Sequence, residues 1–298
     1  MTSVSRQGRV GMGRPALEIA LESKEVFAGG LIEGALVFST DEEVEASSVT
    51  VALEGEERTR IRSSRPGPGR LILPSVGYAD QRREIPGAKR ILVTGRGMKP
   101  PGTRIPFSLG VPIDALPSYA GRFSHIGWVL KARISFARPP DLFEIAEVKV
   151  LPVAENTERQ VAATSEKAAV SFALEAASGR VEPGAHITGW VTIGIVRRRA
   201  REVRVEVLAH EVARAKSRGW QDVEVNDRVL VKHRVFRKEE IIMGARKAFD
   251  IKAPSDLPPT YRGEWSSVDI ILRAIADIPL RPDVSISIPL QASTAPHP

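Results

Sequence analysis

A chain of 298 residues with 42% hydrophobic and 27% charged content excludes a disordered polyelectrolyte or a collagen, and its length points to two units of about 150 residues, each able to bury a core. Its net charge is +7, and the absence of cysteine excludes disulfides, thiolate metal sites and a cysteine nucleophile. No apolar run approaches the roughly 18 residues of a membrane span, and the opening "MTSVSRQGRVGMGRP" lacks the apolar centre of a secretory signal, so a cytoplasmic protein is expected.

In chain order, period-two alternation predicts strands at "ALEIALES" (16 to 23), "SVTVALEG" (48 to 55), "FEIAEVKVLPV" (143 to 153), "EVRVEVLAHEVA" (202 to 213) and "DVSISIPL" (283 to 290). Val203, Val205 and Val207 fall on one face, with Arg204 and Glu206 opposite. "SEKAAVSFALEAASGR" (165 to 180) has alanines that suit a helix, but its place before a second strand block makes it an opening strand. The Gly- and Pro-containing pieces "RPGPGR" (65 to 70) and "TGRGMKPPG" (94 to 102) read as loops. Strands bounded by turns, with no long helical pattern between them, predict antiparallel sandwiches. "AENTERQVAATS" (154 to 165) reads as a polar linker between two domains, 15 to 153 and 166 to 291.

The chain repeats internally. Residues 103 to 134 align without gaps on 245 to 276, an offset of 142, and ten of 31 positions from 104 are identical; chance gives about two. Among them are Asp114/Asp256, Pro117/Pro259, Tyr119/Tyr261, Gly121/Gly263 and Ser124/Ser266. A second block pairs "VFAGGLIEGALVF" (26 to 38) with "VEPGAHITGWVTI" (181 to 193) at an offset of 155. The difference locates about 13 extra residues in the first copy, mostly within 62 to 100. Pro258-Pro259-Thr260-Tyr261 satisfies the PPxY ligand pattern, but Tyr261 is equivalent to Tyr119 in "LPSYAG", where that pattern is missing. The tetrapeptide is therefore expected to be a fold element rather than an exposed ligand.

"VFAGGLIEGALVF", then "PPGTRIPFSLGVPIDALPSYAGRFSHIGWVLKARI", then a second copy on the same plan resemble the arrestin clan, which includes visual and beta arrestins, alpha-arrestins, the retromer cargo subunit and bacterial sporulation-control proteins. The resemblance covers 15 to 290, with Trp128 standing where tyrosine is common. It implies an all-β fold of two tandem immunoglobulin-like antiparallel β-sandwich domains, and an adaptor or scaffold with no catalytic residues to transfer.

Chemistry is sparse. None of His125, His186, His210, His233 and His297 lies two or four residues from another, and "AHEVAR" (209 to 214) lacks the second histidine of a zinc-protease helix. No enzyme, cofactor or metal is expected. Binding is the alternative. Residues 41 to 57 hold seven acids and no base, whereas 58 to 104 hold twelve Lys or Arg against Asp80 and Glu84. Such a segment attracts phosphorylated tails, anionic lipid or nucleic acid by long-range steering, and Tyr78 as its one aromatic puts nucleic acid behind the others. Alternatively its arginines face the acidic stretch across a sheet. "TDEEVE" (40 to 45) and "IVRRRA" (195 to 200) occupy equivalent places with opposite charge and are candidates to meet within or between molecules. The candidate contact residues are Arg82, Arg83, Lys89, Arg90, Arg197, Arg198, Arg199 and Arg201. The expected function is an adaptor holding a protein segment, peripheral to a membrane or not, with self-association of the sporulation-control type as the alternative; a ligand-processing enzyme on tandem sandwiches is a third reading, disfavoured by the missing carboxylate-histidine constellation.

Overall fold

A computed structural model describes residues 15–40, 44–65, 75–99, 103–136, 140–153, 161–164, 170–217 and 220–292. The described chain is an all-β, sandwich-type fold whose one helical element is a single 3-10 turn, Lys238–Glu240. The strands of the first part are β1 (Ala16–Leu21), β2 (Glu25–Phe27), β3 (Leu31–Ser39), β4 (Val44–Arg65), β5 (Ser75–Ile85), β6 (Lys89–Lys99), β7 (Thr103–Gly110), β8 (Tyr119–Ala120), β9 (Ser124–Phe136) and β10 (Leu142–Leu151). Those of the second part are β11 (Val161–Thr164), β12 (Val170–Ala176), β13 (Arg180–Val181), β14 (His186–Val196), β15 (Glu202–Ser217), β16 (Trp220–Arg237), β17 (Arg246–Lys252), β18 (Tyr261–Arg262), β19 (Ser266–Asp277) and β20 (Val284–Ala292).

Every strand read from alternation is present, including the alanine-rich β12, whose residues alternate between buried and half-buried. The strand order occurs twice. One sheet runs β1-β3-β7 and its counterpart β12-β14-β17, with β11 added at the edge. The other runs β2-β10-β9-β4-β5, matched by β13-β20-β19-β15-β16, with β8 on β9 and β18 on β19 in the same roles. The duplication read from the 142-residue offset is therefore a duplication of topology. The pairs β1–β3, β3–β7, β9–β10, β12–β14, β14–β17, β15–β16, β15–β19 and β19–β20 are antiparallel, and the short β13 lies parallel to β20. Val161–Thr164, inside the stretch read as a linker, pairs with β12 from Val161↔Ala176 to Thr164↔Ala173.

One expectation is corrected. Within the piece read as a loop, 94–99 belong to β6, which pairs with β4 from Val44↔Lys99 to Ala52↔Lys89, with two register shifts. Its glycines weaken strand propensity without forbidding it, and bulges are where a strand tolerates them. Of the other such piece, 66–70 lie outside the described residues, as do 100–102.

The chain gathers into two compact units, Met1–Glu56 with Glu84–Ala115 and Gly127–Val150, and Glu57–Arg83 with Leu116–Ile126 and Leu151–Pro298. In the first, alternate residues Val49, Val51 and Leu53 of β4 are at most 1% exposed, and Trp128 and Leu130 of the neighbouring β9 at most 2%. Gly55 continues that inward phase because a methyl there would lie 2.8 Å from the Trp128 ring. In the second, Val203, Val205 and Val207 are fully buried in a cluster with Phe172, Phe236, Leu272 and Ile288. Each such side chain contributes about 1.5–3 kcal/mol on burial.

Candidate functional site

Three of the residue pairs shared by the two copies, Tyr119/Tyr261, Gly121/Gly263 and Ser124/Ser266, converge in the second unit on a pair of buried carboxylates. Glu211 on β15 is 1% exposed and Glu57 on β4 is 0% exposed. Glu211 Oε1 accepts hydrogen bonds from the backbone N–H groups of Phe123 (3.0 Å) and Ser124 (3.0 Å) and from Ser124 Oγ (2.7 Å), while Oε2 accepts from Arg122 N–H (3.0 Å). Glu57 repeats the pattern on the other copy. Its Oε1 accepts from Trp265 N–H (3.0 Å), Ser266 N–H (2.8 Å) and Ser266 Oγ (2.8 Å), and its Oε2 from Glu264 N–H (3.2 Å). Each carboxylate thus fills the mouth of a tight turn. The turn is closed by Gly121 N–H to Ser124 C=O in one case and Gly263 N–H to Ser266 C=O in the other, both 2.8 Å.

The repeated glycines follow from this geometry. A Cβ at Gly121 would stand 2.2 Å from a Glu211 oxygen, and one at Gly263 would stand 2.3 Å from a Glu57 oxygen. The repeated tyrosines pack against each other beside them, ring centroids 5.3 Å apart and planes tilted by 54°. Tyr261 donates its O–H to Ser266 Oγ at 3.0 Å and lies 3.2 Å from Ser124 Oγ. Burial pushes the Tyr261 hydroxyl up to about 12. Burial also raises Tyr119, with the negative charge of Glu211 adding to the effect. The PPxY tyrosine is therefore a buried part of the fold, as its equivalence to Tyr119 predicts. With their oxygens held by amides and hydroxyls, the two carboxylates clamp turns.

Sequence reasoning missed both acids. A signal was there: at an offset of 154, Val49, Val51, Glu57 and Arg60 fall on Val203, Val205, Glu211 and Arg214. It also missed Glu206, which is 2% exposed on the face opposite the valines. Arg204 Nε at 2.9 Å, an Arg273 guanidinium nitrogen at 3.0 Å and Lys232 Nζ at 3.6 Å surround it. Burial raises the Glu206 carboxyl, and hydrogen bonds from Arg204 and Arg273 outweigh that and leave it below the ordinary range.

The predicted contact residues are dispersed. Arg82 and Arg83 are exposed on β5, and Arg83 pairs with Glu264 at 3.1 Å. Lys89 and Arg90 open β6, where Arg90 donates to the Ser108 carbonyl at 2.9 Å. Arg197, Arg198 and Arg199 are exposed in the turn between β14 and β15, and Arg201 lies 3.9 Å from Asp277. Of their proposed counterpart, 40–45, residues 41–43 and the side chains at 44 and 45 lie outside the described residues. The acidic and basic stretches do face each other across a sheet, since β4 pairs with β6 from Val44↔Lys99 to Ala52↔Lys89, while Glu54 pairs with Lys131 of β9 and Glu57 turns inward.

Arg82 does join a constellation that the sequence left scattered. Arg58 and Arg60 of β4, Asp80 and Arg82 of β5, and Arg122 and His125 after β8 line one cavity of about 470 Å³. Arg60 lies 4.8 Å from the centre of the Tyr78 ring and 3.6 Å from Asp80. Arg122 lies 5.1 Å from the Phe123 ring and 3.4 Å from Asn226 Oδ1. No group of three or more metal-ligating side chains occurs among the described residues, and none of their helices is long and apolar enough to cross a membrane. No protein-family model matches the sequence, and no curated protein matches it at a significant level.

Proposed function

We propose that this chain is a non-enzymatic, arrestin-like adaptor of the cytoplasm that holds an extended segment of a partner protein, at a membrane surface or away from one. The observation that carries this reading is β16. It spans 18 residues and ends the path β13-β20-β19-β15-β16, bound on one side by β15 from Ser217↔Trp220 to Glu202↔Arg237. A terminal strand offers a row of N–H and C=O groups to an added strand, and alternate side chains supply specificity. Val223 and Val225 are 52% and 53% exposed along it, apolar contacts of the kind such an addition covers. The doubled strand order and the paired Tyr119 and Tyr261 support the arrestin-like part of the reading.

Proline scanning tests it. Of adjacent residues Glu224 and Val225, one directs its N–H toward β15 and the other away. Proline at the outward position is expected to leave stability within about 1 kcal/mol of wild type and to abolish binding of 12-residue peptides selected on the protein; proline at the inward position costs about 3 kcal/mol. Binding that survives both substitutions would remove β16 as the docking edge.

Self-association is the second reading, favoured by the charge order on the same strand. Glu224 and Arg228 pair with Ala213 and Ala209 of β15 and so share a face. They stand two residues either side of Asn226, so an antiparallel second copy centred there sets each Glu224 opposite an Arg228. Sedimentation velocity at low and high salt checks it: a dimer that dissociates on Arg228→Glu and is restored by adding Glu224→Arg supports pairing, and a monomer throughout eliminates it.

A further inference from the structure

The cavity lined by Arg58, Arg60, Arg82 and Arg122 is placed away from the β16 edge in sequence and carries four guanidiniums against the one carboxylate of Asp80. We infer that it is a recognition site for an extended acidic peptide with carboxylates at alternate positions, laid along β4.

The spacing of the strand itself points to this ligand. Buried Glu57, Thr59 and Ile61 alternate with exposed Arg58, Arg60 and Arg62 along β4. Successive outward arginines are therefore about 6.6 Å apart, and so are alternate side chains of any extended peptide beside them. Each arginine of the row can meet one carboxylate without either chain bending. Neighbouring rows widen the same surface. Arg82 sits two residues beyond Asp80 on β5, and Arg122 and His125 lie on the opposite side of β4, where Arg60 N–H donates to the Phe123 carbonyl at 2.8 Å.

The chemistry of the head groups agrees. The lining basic side chains are four arginines and one histidine, with no lysine, and a guanidinium recognises planar carboxylates through two parallel hydrogen bonds, where an ammonium acts as a point charge. Two of them are pre-oriented on aromatic rings, Arg60 over Tyr78 and Arg122 over Phe123. Asp80, 3.6 Å from Arg60, selects against a compact polyphosphate, whose concentrated charge it would repel. Carboxylates spaced along a chain can straddle it. A cavity of about 470 Å³ is concave enough to seat side chains, unlike a surface matched to a flat bilayer.

The inference rests on the adaptor reading for the identity of the partner as protein, and its test leaves β16 untouched. Fluorescence anisotropy on the full chain would compare a labelled peptide of four Glu-Thr repeats with its isomer of four glutamates followed by four threonines, equal in charge. The alternating peptide is expected to bind at least fivefold more tightly. Arg58→Gln with Arg60→Gln should weaken it five- to tenfold, while Lys252→Gln with Arg281→Gln, both exposed and outside the cavity, should change it less than twofold. Equal affinity for the two isomers, or an Arg58/Arg60 variant that binds like wild type, overturns the site. Inorganic tripolyphosphate or phosphatidylserine vesicles displacing the label at lower concentration than the unlabelled peptide overturns the ligand in favour of phosphate or membrane. If the peptide fails here while β16-selected peptides bind, this inference falls and the adaptor reading stands.

Discussion

Glu211→Ala is expected to lower the free energy of unfolding by about 3–5 kcal/mol, and Glu57→Ala by a similar amount. The carboxylate of Glu211 satisfies the N–H groups of Arg122, Phe123 and Ser124 together with the Ser124 hydroxyl. Removing the acid strands that set of donors, and an unsatisfied buried donor costs about 1–3 kcal/mol, less where water enters the gap. Glutamine separates geometry from charge. Glu211→Gln keeps one acceptor of the same shape, brings an NH2 toward amides that already donate, and is expected to lose about half as much as alanine. The two sites are also coupled, because Tyr261 lies between Ser266, held by Glu57, and Ser124, held by Glu211. The double alanine variant should therefore depart from additivity by about 0.5 kcal/mol or more. Urea denaturation of the four proteins measures this; an alanine variant within 1 kcal/mol of wild type would show that the clamps are dispensable.

These acids show where reading the chain stops short of the fold. Alternation found the strands because a half-buried sheet imposes a period of two on apolar residues, and β15 obeys it from Val203 to Val207. The duplication was visible because Gly121, Ser124 and Tyr119 recur at Gly263, Ser266 and Tyr261, where the glycines leave room for the carboxylates, the serines donate to them and the tyrosine rings meet. Glu57 hid in a run of seven acids that resembles a solvated surface. Its phase with Val49, Val51, Leu53 and Gly55 pointed inward, yet a carboxylate on the core face is tolerable only because amides more than 200 residues later in the chain reach it. Glu206 failed differently. Its phase is outward, but the long side chains of Arg204 and Arg273 close over it, and burial by a neighbour's alkyl stem leaves no mark on hydropathy. The basic surface was legible as charge and illegible as a site: Arg122 belongs with Arg58, Arg60 and Arg82 through strand pairing, whereas Lys89 and Arg90, close to Arg82 in sequence, do not line the same cavity.

The tyrosines make stability depend on alkaline pH in a way that distinguishes a buried pair from two surface phenols. An unfolded tyrosine ionises near pH 10, whereas Tyr261 in the fold ionises at about 12 because burial disfavours the phenolate. Tyr119 is raised for the same reason, with the charge of Glu211 adding to it. A folded-state pKa above the unfolded one means that the unfolded chain loses its proton first. The contribution is therefore complete below pH 10 and is lost as pH rises through 10 toward the folded value. Each such tyrosine steepens the loss by about 1.4 kcal/mol per pH unit in that window, so Tyr261 alone accounts for roughly 2–3 kcal/mol by pH 12. Because lysines titrate in the same range, the decisive quantity is a difference between proteins. Urea midpoints at pH 9, 10 and 11 for wild type and for Tyr119→Phe with Tyr261→Phe should converge with rising pH, as the wild type sheds stability that the double variant does not possess. Parallel lines across that range would mean that neither phenol is shielded in the fold, and the buried pair at the centre of the two clamps would lose its physical basis.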